Sequence, residues 1–534
     1  MIDHILYNGN IVTLDGKIKK AEALAISSGR IVAIGDDSEI LDLATASTIR
    51  ENLGGRTVIP GLVDAHIHWK WTARTLQEVD LYEVPSRKIA LERVAARTTD
   101  LPQGEWIIGQ GWTQEAWDDR QFPTAAELDT VTPHHPAYLR AKSAHAFWVN
   151  SFALRVCGID RDTPDPEGGY IGKDEHGNPN GMLYENAGKL ITAHIPVITA
   201  EESASHMLEA QKLALASGLT GIHDYDGPDC LTALQLLRDR GQLGLRVVKN
   251  VNKEWIHHAY ALGLRWGFGD DWIRIGGLKI FSDGALGPRT ALMLKNYEGE
   301  PDNLGVRVTD VEEMLTLVSE ASAAGLPSTI HAIGDRAMRE VLDVFEAVRA
   351  EEAQRGELPT SRRHRIEHVQ VIHPDDIPRM AKLNIIASMQ PIHATSDYRM
   401  ADRYWGDRSK WAYNARVQLD QGVTVAFGSD SPVDPFEPLR GIHAAVTRQR
   451  PDGSPGENGW YPENRLTVDE ALRAYTIGAA YAAGTERYQG RLAPGYLADL
   501  VVLDQDLYKV TPADILDIQI HATMVGGVWR HGGV

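Results

Sequence analysis

The sequence predicts an α/β protein, a (β/α)8 TIM barrel with a small β-sandwich domain built from both chain termini. The middle of the chain repeats an apolar strand followed by a longer amphipathic helical pattern. That repeat requires parallel strands joined by crossover helices. Both ends instead carry short alternating runs with glycine at the breaks, a pattern typical of antiparallel strands joined by tight turns.

The length of 534 residues exceeds the roughly 250 to 300 residues at which a single core stops growing. We therefore expect one large domain with a smaller domain or a large insertion. The sandwich is predicted over residues 1–58 and 486–534, because neither end alone could bury both faces of a sheet. The barrel is predicted over residues 59–485, and its interval of about 70–196 is far longer than a crossover requires. That interval is predicted to be an inserted lid or subdomain.

Eight segments in the middle of the chain have the character of barrel strands, and this number favours a closed barrel over an open sheet. In chain order they are TVIPGLVDAHIH, GLTGIHDYD, LGLRVVKN, IRIGGLKIF, GLPSTIHAI, HRIEHVQ, NIIASMQP and TVAFGSD.

The composition excludes several classes of partner. Lys and Arg number 54 against 73 Asp and Glu, and the resulting net charge of -19 repels a nucleic-acid backbone and an anionic membrane alike. The first 20 residues alternate and carry charges, and no later stretch has about 18 uninterrupted apolar residues, so we expect a cytoplasmic protein. Cys157 and Cys230 are too few for a disulfide framework or a cysteine-based zinc site. Any metal is therefore expected on histidine, carboxylate or a less usual ligand.

Polar residues at the carboxyl ends of barrel strands face the active site of such a fold. His66 and His68 end the first strand, and a period of two places them on one face as a chelating pair. Lys279 lies among apolar and glycine residues of the fourth strand, where desolvation penalises an ammonium. The fifth, sixth and eighth strands end in His331, His368 and Asp430.

Each of these residues also has a structural interpretation. A single strand-end histidine is more often hydrogen-bonded than a ligand, Asp430 could cap the following helix, and Lys279 could pair with Asp283. Their coincidence at the ends of separate strands favours a metal site.

Several motifs together resemble the amidohydrolase superfamily, and specifically its amidohydrolase 3 branch of N-substituted formamide deformylase-like, metal-dependent hydrolases. The motifs are PGLVDAHIH, GLKIFSDGALGPRTA, HAIGDRA, RIEHVQ and FGSDSPV. NGNIVTLDG and GRLAPGYLADLVVLD also match the small β-sandwich that flanks the barrel in this superfamily.

The resemblance implies a set of metal ligands: His66, His68, Lys279, His331, His368 and Asp430. His66 and His68 bind the more buried metal together with Asp430. Lys279 carries a carbamate, formed with carbon dioxide, that bridges two metals, and His331 and His368 bind the second. The divalent ions are expected to be two Zn, with one ion if Lys279 stays unmodified, and iron, manganese and nickel stay open.

The ligand set implies a mechanism for cleaving a C-N, amide-type bond of a small molecule. A metal-activated hydroxide attacks the carbonyl, while Asp430 acts as general base and then as general acid. Ester, lactone, carbamate and amidine bonds stay open as alternatives on the same site. A scaffold without catalysis is less favoured, because all six ligand positions are filled.

Candidate substrate contacts are Trp112 and His145 in the insertion and His223, Asp283 and Arg289 after barrel strands. Aromatic residues of the insertion could wall a pocket or simply pack the lid. Asp283 and Arg289 could also orient metal ligands. We expect a small-molecule substrate and, for a large enzyme, a homodimer.

Overall fold

The computed structural model describes residues 2–18, 21–82, 84–99, 101–114, 117, 119–141 and 146–533. The chain forms two compact units, one comprising Met1–Lys70 with Met207–Val534 and the other Trp71–His206. Within the described residues, no helix has the length and apolar character that crossing a membrane requires.

The strands of the described residues, in chain order, are β1 (His4–Tyr7), β2 (Asn10–Ile11), β3 (Ala23–Ser27), β4 (Arg30–Gly35), β5 (Ile49–Asn52), β6 (Thr57–Pro60), β7 (Leu62–Ile67), β8 (Val79–Asp80), β9 (Ile107–Trp112), β10 (Ala137–Ala141), β11 (Ala146–Val149), β12 (Gly169–Lys173), β13 (Pro179–Glu185), β14 (Leu219–Asp224), β15 (Arg246–Asn252), β16 (Ile273–Phe281), β17 (Ser328–Ala332), β18 (Arg365–His368), β19 (Ile386–Met389), β20 (Val425–Phe427), β21 (Leu500–Leu503), β22 (Ile520–Val525) and β23 (Val528–Gly532).

The α-helices are α1 (Asp37–Leu41), α2 (Trp69–Thr75), α3 (Arg87–Thr98), α4 (Ala125–Asp129), α5 (Ser151–Val156), α6 (Lys189–Thr192), α7 (Ala200–Ala216), α8 (Pro228–Asp239), α9 (Ile256–Ala261), α10 (Val311–Ala324), α11 (Asp335–Gln354), α12 (Ile377–Lys382), α13 (Pro391–Trp405), α14 (Ala415–Asp420), α15 (Pro438–Thr447), α16 (Val468–Arg473) and α17 (Ala479–Ala483).

The first unit contains the predicted (β/α)8 barrel, with a barrel strand in each of the eight predicted segments. In the first segment only Leu62–Ile67 is a barrel strand, because Thr57–Pro60 pairs with β21 of the sandwich. Neighbouring strands pair in parallel in the order β7, β14, β15, β16, β17, β18, β19, β20. The backbone N–H of Asp430 donates to the carbonyl of His66 at 2.7 Å, just beyond β20, and so joins the last strand to the first. Helices cover the barrel with apolar faces: α11 buries Met338, Val341 and Phe345, which recur at helical spacing.

Both chain ends build the β-sandwich beside the barrel. One sheet has the order β4-β3-β1-β5, and the other has the order β2-β6-β21-β22-β23, in which N-terminal β6 pairs antiparallel with C-terminal β21. Side chains of both sheets share one core that includes Leu24 and Met524. The turn between β3 and β4 has positive φ at Ser28 (51°) and Gly29 (74°), which matches the type I′ turns of tight hairpins.

The second unit is built on a six-stranded sheet of order β12-β13-β11-β10-β9-β8. Its core contains Trp112, Trp117 and Trp148, whose rings lie about 6 Å apart, with Leu139 and Met182 packed in the same cluster.

Candidate metal centre

Histidines and an aspartate converge at the carboxyl ends of the barrel strands. Oδ1 of Asp430 lies 3.4 Å from Nε2 of His66 and 3.5 Å from Nε2 of His68. Oδ2 of Asp430 lies 4.0 Å from Nδ1 of His368. The candidate ligand atoms of His66, His368 and Asp430 all lie within 4.8 Å of one another, a spacing that one metal ion could bridge.

His331 and Lys279 lie beside this group on β17 and β16. The rings of His331 and His368 are 4.6 Å apart. Phe281 contacts both His331 and Lys279: its ring centre lies 5.1 Å from the ring of His331 and 4.5 Å from Nζ of Lys279. The side chain of Lys279 is buried, and Nζ has no hydrogen-bond partner among the described residues. All six predicted ligands therefore lie at the same end of the barrel.

Carboxylates fix which nitrogen of His66 and His68 carries the hydrogen. Nδ1 of His66 lies 2.6 Å from Oε2 of Glu367, and Nδ1 of His68 lies 3.1 Å from Oδ1 of Asp226. A carboxylate only accepts, so Nδ1 is the donor in both rings and the lone pair of a neutral ring is on Nε2. Burial lowers the pKa of His68, but the hydrogen bond to Asp226 and the charge of Asp430 raise it above its ordinary value overall.

Neutral oxygens fix the hydrogens of the other two histidines. Nδ1 of His368 lies 2.9 Å from Oε1 of Gln390, and Nε2 of His331 lies 3.0 Å from the carbonyl oxygen of Gly284. The ring nitrogen that donates is Nδ1 in His368 and Nε2 in His331. The opposite nitrogens, Nε2 of His368 and Nδ1 of His331, therefore carry the lone pairs that a metal needs.

Burial and neighbouring charges set the protonation of the site. Burial lowers the pKa of His66 to about 4 and that of His331 to about 3, so both rings are neutral at physiological pH. Burial also lowers the pKa of Lys279, to about 8. Although burial alone raises the pKa of Asp430, the imidazole of His66 and the hydrogen bond from His393 hold it well below its ordinary value. The site thus combines the neutral imidazoles of His66 and His331 with an anionic carboxylate.

A seam between the first and last strands positions Asp430. A Cβ at Gly428 would lie 2.4 Å from the backbone nitrogen of His66, so only glycine allows this approach. Asp64 accepts from the backbone N–H groups of His66 (3.0 Å) and Ser429 (3.1 Å) and from the hydroxyl of Ser429 (2.6 Å). Asp430 itself has a left-handed φ of 61°, which turns its side chain towards the histidines.

Glu367, on β18, is a functional candidate that the sequence argument missed. Its carboxylate accepts from Nδ1 of His66 and from the hydroxyl of Tyr225 at 2.7 Å, and it forms an ion pair with Nε of Arg365 at 3.0 Å. The ring of Tyr225 stacks on His66 with centres 4.1 Å apart. These contacts hold His66 in one orientation. In the sequence, Glu367 could have been identified from its position directly before His368.

His393, in the first turn of α13, was also missed. Its Nδ1 lies 2.6 Å from Oδ2 of Asp434, and its Nε2 lies 3.4 Å from Oδ2 of Asp430. Burial lowers the pKa of His393, but the hydrogen bonds to both carboxylates raise it to about 10 overall. The imidazolium of His393 therefore binds Oδ2 of Asp430, whereas Oδ1 faces Nε2 of His66. The available signal was a histidine two residues after Pro391, which begins a helix immediately beyond a barrel strand.

Two of the predicted substrate contacts are buried and bonded to other protein groups. His223 is buried, and its Nδ1 accepts from Nη1 of Arg365 at 3.0 Å. Asp283 is buried 3.6 Å from Nε2 of His331 and accepts hydrogen bonds from three backbone amides at 2.8 to 3.1 Å. Asp283 thus orders the loops around His331.

The other predicted contacts do not join the cluster. Arg289 forms an ion pair with Glu300 at 2.6 Å and is partly exposed. Trp112 is fully buried in the core of the second unit, where Nε1 donates to a backbone carbonyl at 2.8 Å, and this location favours the packing interpretation. His145 lies outside the described residues.

Comparison with known proteins gives matches that extend over nearly the whole chain. A family model described as the amidohydrolase family matches residues 51–531. The putative amidohydrolase YtcJ of Bacillus subtilis is 32% identical, over 98% of this chain and 98% of that protein. The N-substituted formamide deformylase of Arthrobacter pascens is 30% identical, over 99% and 98%. Protein LONG AFTER FAR-RED 3 of Arabidopsis thaliana is 32% identical, over 98% and 91%.

Two solved structures share the fold at closely similar levels. An uncharacterized metal-dependent hydrolase from Pyrococcus furiosus superposes with a TM-score of 0.79 at 29% identity, covering 95% of this chain and 100% of that one. One from Pyrococcus horikoshii superposes with a TM-score of 0.80 at 28% identity, covering 95% and 99%.

Proposed function

The chain belongs to the amidohydrolase family, and from that premise we propose which of its residues hold metal and carry out hydrolysis. The enzyme is a metal-dependent hydrolase that acts on carbon-nitrogen bonds of small molecules, in keeping with its relatives and structural neighbours. The proposed ligands are His66, His68, Lys279, His331, His368 and Asp430.

One observation carries the ligand assignment. Nε2 of His66, Nδ1 of His331 and Nζ of Lys279 are all buried, and none has a hydrogen-bond partner among the described residues. A buried polar atom left unpaired costs about 1 to 3 kcal/mol. Three such atoms at one end of a barrel, beside an anionic Asp430, fit a cation site. The residues present therefore fit divalent metal.

The metal ions, for which we propose zinc because the ligands are nitrogen and oxygen, supply Lewis acidity at the scissile carbonyl and lower the pKa of water. Asp430 supplies proton transfer. Its Oδ1 faces His66 and His68, while His393 holds its Oδ2. We propose that this carboxylate takes a proton from the attacking water and delivers it to the leaving amine.

We propose that Lys279 becomes a carbamate, which would supply oxygen ligands to the metal. Its amine is buried, and its lowered pKa of about 8 leaves a substantial neutral fraction near neutral pH. The neutral amine attacks carbon dioxide, an N–C bond forms, and one proton leaves the nitrogen. The product is an anionic oxygen ligand in place of a buried cation. If the amine stays unmodified, the site holds one ion.

The substrate proposal follows the named relative. N-substituted formamide deformylase, matched over almost its whole length, points to the amide of a small N-substituted compound. A panel of N-formyl and N-acyl amides and matched esters, lactones, carbamates and amidines, assayed on metal-replete enzyme, tests the bond type. Faster cleavage of an ester or lactone than of every amide would contradict the assignment.

Replacement of Asp430 by Asn tests its role. We expect kcat to fall about 10²- to 10⁴-fold, because proton transfer is lost, while substantial metal remains bound. Asp376 offers a control, since it is buried and bonded to Arg339 and Arg379 on the outer helices. Asp376→Asn should keep wild-type turnover, and metal analysis of each variant separates loss of ions from loss of proton transfer. Near-normal turnover of Asp430→Asn would refute the assignment.

A further inference from the structure

A small cavity of about 20 Å³ lies next to His368, between the ends of β19 and β20 and helices α14 and α15. Its lining includes His368, Gln390, Phe427, Ala445 and Arg448. A water molecule needs roughly 10 to 15 Å³ by this kind of measure, so the cavity accommodates an occupant of one or two waters.

Arg448 brings a positive charge to this cavity without a counter-charge. Its side chain is buried, with 3% of the residue surface exposed. Nε donates to the carbonyl of Trp460 at 3.0 Å, and Nη1 donates to the carbonyl of Tyr413 at 2.7 Å. Nη2 has no hydrogen-bond partner, and no carboxylate among the described residues forms an ion pair with the guanidinium. Glu463, the acidic side chain whose charge reaches it, is exposed.

The orientation of Arg448 is fixed by the backbone as well as by these bonds. The residue follows α15 in a left-handed conformation (φ 58°), which is uncommon for a residue with a side chain. The two carbonyl acceptors then hold the planar guanidinium in one place, so its unpaired N–H groups are preorganised rather than mobile.

Gln390, which also lines this cavity, carries a second unpaired donor. Its Oε1 accepts from Nδ1 of His368 at 2.9 Å, which leaves the amide group of Nε2 free. Nε2 is buried and has no partner among the described residues. Two residues that line this cavity therefore each carry an unpaired donor, one of them on a charged group that has no counter-charge, and such donors are costly to leave unpaired.

We propose that this cavity is a binding site for a small monoanion held by Arg448 and the amide of Gln390. The volume admits a halide or the carboxylate of a one-carbon acid and excludes sulfate and longer acids. The anion could come from the solvent or, if the proposed hydrolysis of formyl amides is right, from the reaction product. An anion on Nε2 of Gln390 also keeps Oε1 turned towards His368, so occupancy should favour the ring orientation that offers Nε2 to metal.

The first test is made on the metal-loaded wild-type protein without substrate. Crystals soaked in bromide should show one anomalous peak within hydrogen-bond distance of Arg448 and Gln390. Bromide, chloride or formate at 100 mM, against gluconate or sulfate at equal ionic strength, should raise the melting temperature by roughly 2 to 5 °C. Displacement of bromide by formate identifies a carboxylate site, and a response to halides alone identifies a halide site. Ordered water in the cavity and equal melting temperatures in all salts would overturn the proposal.

Variants test the residues. Arg448→Gln should lose the anion-dependent stabilisation and the bromide peak. Arg349→Gln is the matched control, because Arg349 is also buried but pairs with Glu352 at 2.6 Å. It should be less stable than wild type yet keep the full anion response. If Arg448→Gln does not fold, Gln390→Met and the wild-type peak still decide the question. None of these measurements depends on turnover, so they test the anion site even if the enzyme is inactive towards amides.

Discussion

Replacement of Glu367 by Gln should weaken metal binding through the orientation of His66. The carboxylate accepts hydrogen bonds from His66 and Tyr225 at 2.6 and 2.7 Å and forms an ion pair with Arg365 at 3.0 Å. A glutamine of the same shape has one oxygen and turns N–H groups towards at least one of these donors. Loss of a hydrogen bond that orients a metal-binding histidine lowers metal affinity about 10- to 100-fold, which equals about 1.4 to 2.7 kcal/mol. Arg365 also loses its carboxylate, so the melting temperature should fall.

Competition with a chromophoric chelator measures the metal affinity, and thermal unfolding measures the stability. Glu352→Gln is the matched control. Glu352 is equally buried and accepts from Arg349, His364 and Ser322 at 2.6, 2.9 and 2.6 Å, but it lies on α11 outside the barrel. We expect both variants to lose stability and only Glu367→Gln to lose affinity. An affinity within twofold of wild type in Glu367→Gln, or equal losses in both variants, would refute the reasoning.

Three other changes test other parts of the structure. Gly428→Ala places a Cβ 2.4 Å from the nitrogen of His66, so we expect a loss of about 1 to 3 kcal/mol or more in stability and less bound metal, read by thermal unfolding and metal analysis. Burial raises the pKa of Glu352, but its hydrogen-bond donors lower this pKa overall, from 4.5 to about 2. The ionised carboxylate therefore stabilises the fold above pH 4.5, and this contribution is lost as the pH falls towards 2. Acid unfolding curves of Glu352→Gln should lack this component, and a slope identical to wild type would contradict it. His393→Gln should lower kcat about 10- to 100-fold at wild-type metal content, because it frees an oxygen of Asp430; unchanged turnover would show that the contact is incidental.

The sequence was sufficient to predict the barrel and the positions of its polar strand ends. Parallel strands must place their carboxyl ends on one side, so His331 and Asp430 could be grouped from strand order alone. A period of two likewise put His66 and His68 on one face. These inferences use regular geometry, which a sequence pattern encodes directly.

The residues that the sequence argument missed depend on departures from that geometry. Alternation along β18 would place Glu367 and His368 on opposite faces, yet both serve the site, because His368 has a left-handed φ of 75° that redirects its side chain. His393 reaches Asp430 from a helix rather than a strand. Trp112 could not be assigned between pocket and core, since both interpretations predict an aromatic residue in the same place. Irregular backbone conformations and long-range contacts produce no periodic pattern in the sequence.

The seam that joins the first and last strands has a consequence for how the protein is made. Asp64 and Ser429 are 365 residues apart, and at about 5 to 20 residues per second they leave the ribosome roughly 20 to 70 s apart. For most of that interval the emerging chain has His66 and His68 but not Glu367, and Asp430 is still missing at its end. On the proposed ligand assignment, we expect an ion captured then to be held weakly and to exchange. We therefore expect metal selection to occur late in biosynthesis, and a chain that ends before the last strand to retain little metal although most of the proposed ligands are present.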